Sequence, residues 1–476
     1  MKDVQEKVTG RMFICADIRL TAPLLIGQGE LYEEGGTDIK VLKDNKGRPY
    51  IPGTSLAGIL REKIQRADAN HVELLFGTDV TVKQGDTFQS SLNVFDVPLK
   101  DAEIIARDGI RIDILTGVVA KHAKYDFEAV ESGATGKLKM EMVLRGFHMD
   151  ETTGKIREDV ERCISLLAGF LHSGFAAGAK TTVGMGKIRC DNVKFYYYDF
   201  QKTEAVQAWL TGAKVDPEND CFLYRPLPVP QDMEQKDRFV ADIHLSLRSS
   251  LLVRSYIVGD QDKKDNISAV PMESKGAYLI PGTSVKGVLR NHANYILRRL
   301  RIDEQEATRM IDQLMGYAPK QSGDEDVKIK SRFTVKEVLF DKDAQGIVAA
   351  AQRRNRIDRF TGGTIQTALF ATKPLWKNGA GSPVHIHFEI ERCNVQENWE
   401  AGLALFILKD LCIGNIAVGG EKAVGRGTLL GEKAIVQFGG KTWEIDSCGR
   451  VVKGEASELE RMAAALTGKG QVTDNE

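Results

Sequence analysis

The sequence predicts an α+β protein made of two tandem copies of one split-βαβ, ferredoxin-like domain. Three observations carry this. A set of motifs recurs in the same order in both halves, an alternating strand heads each half, and each half then holds two helical patterns between strand-like segments. At 476 residues, 42% of them apolar, the chain has ample material for more than one packed core.

The elements follow in order. Phe13-Ile14-Cys15-Ala16-Asp17-Ile18-Arg19-Leu20 alternates like a half-buried strand, and Phe239-Val240-Ala241-Asp242-Ile243-His244-Leu245 does the same in the second half. After a Gly-rich loop comes Ile51-Pro52-Gly53-Thr54-Ser55, which returns 229 residues later as Ile280-Pro281-Gly282-Thr283-Ser284. Thr54 or Ser55 is placed to cap a helix with the apolar face Leu56, Ile59, Leu60, Ile64; Val285, Val288, Leu289, His292 and Ile296 repeat that face. Strand-like segments at 91–95 and 333–335, second helices over 156–173 and 397–412, a Gly turn and a final strand complete each unit. Arg111-Ile112-Asp113 with Thr116-Gly117 pairs with Arg356-Ile357-Asp358 with Thr361-Gly362. Gly178 and Val183-Gly184-x-Gly186 pair with Gly419 and Val424-Gly425-x-Gly427. Four matches in one order indicate a tandem duplication. Pro217, Pro226, Pro228 and Pro230 mark 201–237 as an extended linker between domains at 1–200 and 238–466, and 467–476 reads as a frayed tail.

Charge and composition narrow the function classes. The 65 basic and 66 acidic residues exclude a uniformly basic nucleic-acid coat but allow a basic groove with an acidic back. No apolar run reaches a membrane span, and Met1-Lys2-Asp3-Val4-Gln5-Glu6 has no signal-peptide core. None of the seven Cys lie three apart, which speaks against a disulfide framework or zinc ribbon and for a reducing cytoplasm.

Several patterns carry chemistry. Each IPGTS turn opens a helix whose free amides and positive dipole end suit a phosphate. Gly53, Thr54, Ser55 and Arg61, with Gly282, Thr283, Ser284, Lys286 and Arg290, are therefore candidate contacts. The Gly184/Gly186 and Gly425/Gly427 turns either present amides to a phosphate or let backbone segments pack closely. Arg111, and Arg356 and Arg359 beside Phe360, suit a phosphate backbone and splayed bases. Acids precede each IPGTS turn: Asp38 after Gly35-Gly36-Thr37, and Asp260, Asp262 and Asp265 in the second copy. A carboxylate there suits a divalent metal or proton transfer. Gly440-Lys441-Thr442 is not a Walker loop, because Ile435 stands where its first Gly belongs. His385 and His387 share a strand face, but two ligands do not make a zinc site.

Together the Gly loop with Asp38, the Ile-Pro-Gly-Thr-Ser-Leu-x-Gly-x-Leu-Arg stretch, Gly109 to Gly117, and Gly184-Met185-Gly186 resemble the RAMP superfamily of CRISPR-associated proteins. The likeness is greatest to the seven-type backbone subunit of type III interference complexes, with two such domains in one chain as in type III-D variants. The resemblance implies RRM-like domains that stack along a CRISPR RNA within a ribonucleoprotein of antiviral defence, beside other type III subunits. It implies a thumb from each domain, at about 109–130 and 354–375, that wedges into the guide–target duplex and flips a base pair every six nucleotides. It implies that Asp38, and Asp265 in the second copy, support cleavage of complementary target RNA with Mg²⁺ or another divalent metal. Asp38 fits the family pattern. Counting back from Ile280 puts Ile267 level with it, so Asp265 fits only with a loop two residues longer. Lys286 stands where the first copy has Ala57, so a stronger RNA contact is expected there. The alternatives are a non-catalytic RNA-binding scaffold, a guide-processing RAMP endoribonuclease, for which the Gly loops lack a His, and a duplicated metabolite binder.

Overall fold

Each half folds around an antiparallel main sheet with helices packed on it. A computed structural model describes residues 7–30, 38–78, 89–112, 119–211, 222–228, 237–255, 262, 266–317, 328–394 and 396–469. The chain divides into two units, one of Met1–Thr181 with Met185–Met233, the other of Thr182–Gly184 with Glu234–Glu476.

In the first unit β1 (Val8–Leu20) is central. With β2 (Gly27–Glu30), β3 (Ile39–Val41), α1 (Gly53–Ala67), β4 (Leu92–Val94), β5 (Ile104–Ile112), β6 (Val119–Val130), β7 (Thr135–Arg145), α2 (Glu158–Ser173) and β8 (Lys187–Asp199), it forms two sheets. The main sheet runs β8-β1-β7-β4 with every pair antiparallel. Met12, Ile14, Ala16, Ile18 and Leu20 alternate into the core, where Leu56, Leu60 and Ile64 of α1 and Cys163, Ile164, Leu167 and Leu171 of α2 meet them. Each fully buried aliphatic side chain contributes about 1.5–3 kcal/mol. The small sheet runs β2-β3-β6-β5, and its β5–β6 hairpin covers much of the segment expected as a thumb; the turn 113–118 lies outside the described residues.

The second unit repeats this plan. It contains β10 (Phe239–Leu247), β11 (Arg254–Ser255), β12 (Ile267–Pro271), α4 (Gly282–Arg299), α5 (Glu304–Met315), β13 (Phe333–Val335), β14 (Gln352–Ile357), β15 (Thr364–Thr372), β16 (Val384–Ile390), α6 (Trp399–Cys412) and β17 (Leu429–Phe438). Its main sheet runs β13-β16-β10-β17 and its small sheet β11-β12-β15-β14. In both units the principal strands, counted along the chain, therefore lie in the order fourth, first, third, second.

Three expectations need correction. Pro52 and Pro281, not Thr54 or Ser55, hold the N-cap positions of α1 and α4, and their carbonyls accept the first-turn amides of Ser55 and Ser284. The proline ring presets the extended backbone from which the helix departs. The presumed linker contains α3 (Thr203–Leu210) and β9 (Leu223–Tyr224), which pairs with β8, because Trp209, Phe222 and Leu223 pack with Tyr196 and Tyr198. The presumed tail is helical as far as Lys469, in a helix whose Leu459, Met462 and Leu466 are buried.

Candidate nucleic-acid interface

In the first unit, Asp38 stands directly before β3, which runs parallel to β6 with Ile39 level with Phe127. The Asp126 amide donates to Asp38 Oδ2 at 2.8 Å, and the Val41 amide donates to Glu128 Oε2 at 3.0 Å. These bonds seat the exposed Asp38 carboxylate on the hairpin rather than on the main sheet. Lys180, in the left-handed region at φ 61°, donates through Nζ to the Tyr125 hydroxyl at 2.6 Å. Its ammonium lies 4.9 Å from each of the Tyr125 and Phe127 ring centres. Beneath it, Met185 packs with Leu25, Phe127 and Ala129.

The second unit fills the same places with different chemistry. Asn266 stands directly before β12, which is again parallel to the hairpin, Ile267 level with Ala371. Asp265, the expected catalytic acid, and Asp260 lie outside the described residues. Asp262 accepts from Lys373 Nζ at 2.9 Å, and Glu273 accepts from Lys342, so the two lysines of the 610 Å³ cleft beside them are each neutralised. Level with Lys180 in the glycine turn is Glu421, at φ 57°. Its carboxylate accepts from Arg254, Arg354 and Arg426. Burial alone would raise the Glu421 pKa; the three guanidinium bonds outweigh it and hold the carboxyl below its ordinary value. Arg426, level with Met185, is 3% exposed, bonds Ser250 Oγ and Gln352, and lies over Trp376.

The N-terminus of α1 is less open than expected. The Gly53 amide donates to Asp96 Oδ1 at 2.7 Å, so a carboxylate already sits at the positive end of α1. A Cβ on Gly53 would lie 2.1 Å from the Val94 carbonyl, which is why this position is glycine. Thr54 and Ser55, like Thr283 and Ser284 behind Gly282, lie in the first helical turns. Arg61 is half-buried on α1.

Lys286 and Arg290 were expected to face RNA, and the structure turns both inward. Lys286 donates to Ser331 Oγ at 2.7 Å and to the Phe333 carbonyl at 2.8 Å, and burial with the nearby Arg290 charge pushes its pKa down to about 7. Arg290 bonds the Gly316 carbonyl and Asp312, tying α4 to α5. Both side chains can reach these acceptors because the helix presents them toward the strand and helix packed on it.

The glycine turns close on backbone. Gly186 and Gly427, both at positive φ, donate their amides to the carbonyls of Pro23 and Ser250 at 2.7 Å, and a Cβ on either would meet a carbonyl at 1.9 Å. Close backbone packing, not amide presentation, accounts for these two residues. Gly184 and Gly425 are also left-handed, at φ 91° and 82°.

The second unit's hairpin carries exposed cations. Arg111 lies near the end of β5. Arg353, Arg356 and Arg359 are exposed on and beyond β14. Asp358 Oδ1 accepts the amides of Phe360 and Thr361 at 2.7 and 2.9 Å, building a turn that holds the Phe360 side chain fully in solvent. Sequence reasoning missed Lys180, Tyr125, Glu421, Arg254 and Arg426. The aligned glycine turns, with Lys in one and Glu in the other, were the available signal.

The model of the RAMP superfamily matches residues 17–189 and 244–429. No curated protein matches the chain. Among the described residues, no helix is long and apolar enough to cross a membrane.

Proposed function

This chain belongs to the RAMP superfamily, and from that membership, which supports a CRISPR-associated RNA-binding role, we propose a double-domain backbone subunit of a type III effector complex. We read each unit as a ferredoxin-like, RRM-like domain with its hairpin as a thumb. The subunit binds CRISPR RNA with other effector subunits, in the cytoplasm, and cuts complementary target RNA in its first unit.

The observation that carries this reading is the seating of Asp38 against Asp126 of the hairpin. An acid fixed to the element that meets a duplex stays in register with a nucleotide displaced there. RNA supplies its own nucleophile. The 2′-oxygen attacks the adjacent phosphorus, the bond to the 5′-oxygen breaks, and the departing oxygen takes up a proton. The products are a 2′,3′-cyclic phosphate and a 5′-hydroxyl. Asp38 orients the 2′-hydroxyl or receives its proton. Among the described residues no three ligating side chains converge, and Asp38 is the residue that would hold a divalent ion such as Mg²⁺. Such an ion would supply charge stabilisation at the phosphorus.

Asn266 in front of β12 favours a second reading for the second unit alone, that of a spacer that binds RNA without cutting it. The test is a cleavage map. Complexes with wild type, Asp38→Ala and Asp265→Ala are given end-labelled complementary RNA and Mg²⁺. Loss of one band set in Asp38→Ala, with all bands kept in Asp265→Ala, is the expected result. Survival of every band in Asp38→Ala makes the whole chain a scaffold.

A further inference from the structure

The face of the second unit's main sheet away from its helices carries a histidine group that the RNA reading does not use. Phe239, Ala241, Ile243 and Leu245 of β10 point into the core, so Asp242 and His244 point the other way. The register pairs Asp242 with His387 and His244 with His385 on β16. His387 Nδ1 meets Asp242 Oδ1 at 2.6 Å, while its Nε2 is buried, 3.5 Å from Glu389 Oε2 and without a hydrogen bond among the described residues. His244 Nδ1 and His385 Nε2 instead face each other at 2.9 Å, and His385 is exposed.

The ring geometry decides what this pair can hold. A head-on N–H···N bond of that length would put the ring centres about 5 Å apart, since each nitrogen extends about 1.1 Å from its ring centre. The centres are 4.0 Å apart with the planes at 63°. The rings are therefore inclined rather than head-on. Two nitrogens each about 2.0–2.1 Å from one ion at a right angle lie about 2.9 Å apart, whereas a tetrahedral angle needs about 3.3 Å. The observed 2.9 Å fits adjacent corners of a square-planar or octahedral ion. Charge is compatible: Lys433, opposite His244 on β17, is paired with Glu444 at 3.0 Å, and Asp242 lies one position along.

We propose that His244 and His385 form a two-imidazole chelate for a divalent transition cation of the Cu²⁺ or Ni²⁺ class, with water in the remaining positions. The site is separate from Asp38 and does not depend on RNA.

The test is calorimetric titration of the metal-free full chain with Ni²⁺ alone and Cu²⁺ alone, with the Cu²⁺ spectrum read for equatorial nitrogen. Wild type is expected to bind one ion at this site, Cu²⁺ more tightly than Ni²⁺. Affinity should fall at least tenfold in His244→Gln and in His385→Gln, whose exposed position leaves folding intact. It should be unchanged in His172→Gln, an exposed histidine on α2. Equal binding in all four proteins, or none in wild type, overturns the proposal.

Discussion

Lys180 and Glu421 occupy one place in two copies of the same glycine turn, both in the left-handed region, and carry opposite charge. Each anchors its turn to the elements around the small sheet, Lys180 through Tyr125 and Phe127, Glu421 through Arg254, Arg354 and Arg426. Below them Met185 and Arg426 make the same contrast, apolar in one copy and ionic in the other.

That contrast sets a difference in cost. Removing one member of a buried ion group leaves the rest uncompensated, at about 3–5 kcal/mol. Glu421→Gln should destabilise the second unit by roughly that amount. Lys180→Gln, which removes two cation–aromatic contacts and one hydrogen bond, should cost the first unit about 1 kcal/mol. Urea unfolding of the two variants measures both; equal losses would contradict the assignment.

Lys286 links stability to alkaline pH. Its pKa lies near 7 in the fold against the ordinary lysine value of 10.5, so between those values the unfolded chain binds the extra proton. The second unit should therefore gain stability as pH rises from 7 to 9, by about 3 kcal/mol at most. Lys286→Met should abolish that gain. It should also leave the salt dependence of RNA binding unchanged, since the side chain points inward.

His148 works in the acid range of the first unit. The Arg145 amide donates to its Nδ1 at 2.9 Å, and its Nε2 meets the Leu74 carbonyl at 3.0 Å. Burial pushes its pKa down to about 4 from 6.5. The folded value is depressed, so the neutral ring's contribution is complete above pH 6.5 and is lost as pH falls toward 4, about 3 kcal/mol in all. In His148→Gln the unfolding midpoint should be lower at pH 7 and flatter between pH 7 and 4.5.

Phe360 gives the hairpin a stacking surface. Phe360→Ala should leave the unfolding midpoint within about 0.5 kcal/mol, because the ring touches solvent only. Affinity for guide–target duplex should fall by the worth of one stacked base, about 1–3 kcal/mol. An unchanged affinity in a filter-binding series would remove the hairpin tip from the interface.

Local pattern was readable in the sequence. The alternation of Phe13 to Leu20 and the helical spacing of Leu56, Leu60 and Ile64 both depend on near neighbours, and both appear as read. The second helices, expected over 156–173 and 397–412, are Glu158–Ser173 and Trp399–Cys412. Long-range pairing was not readable. Lys286 looks like a surface cation until Ser331 and Phe333 are brought to it from 45 and 47 residues away. His244 meets His385 only through the register of β10 with β16, 141 residues apart. Gly53 reads as an anion cradle until Asp96 arrives to occupy it.

The parallel pairing of β3 with β6 has a mechanical consequence. Asp38 and the projecting hairpin share one frame of reference, so a force that tilts the hairpin carries the carboxylate with it. Acid and hairpin are then like two marks cut on a single gauge, held at one spacing by the bond between them.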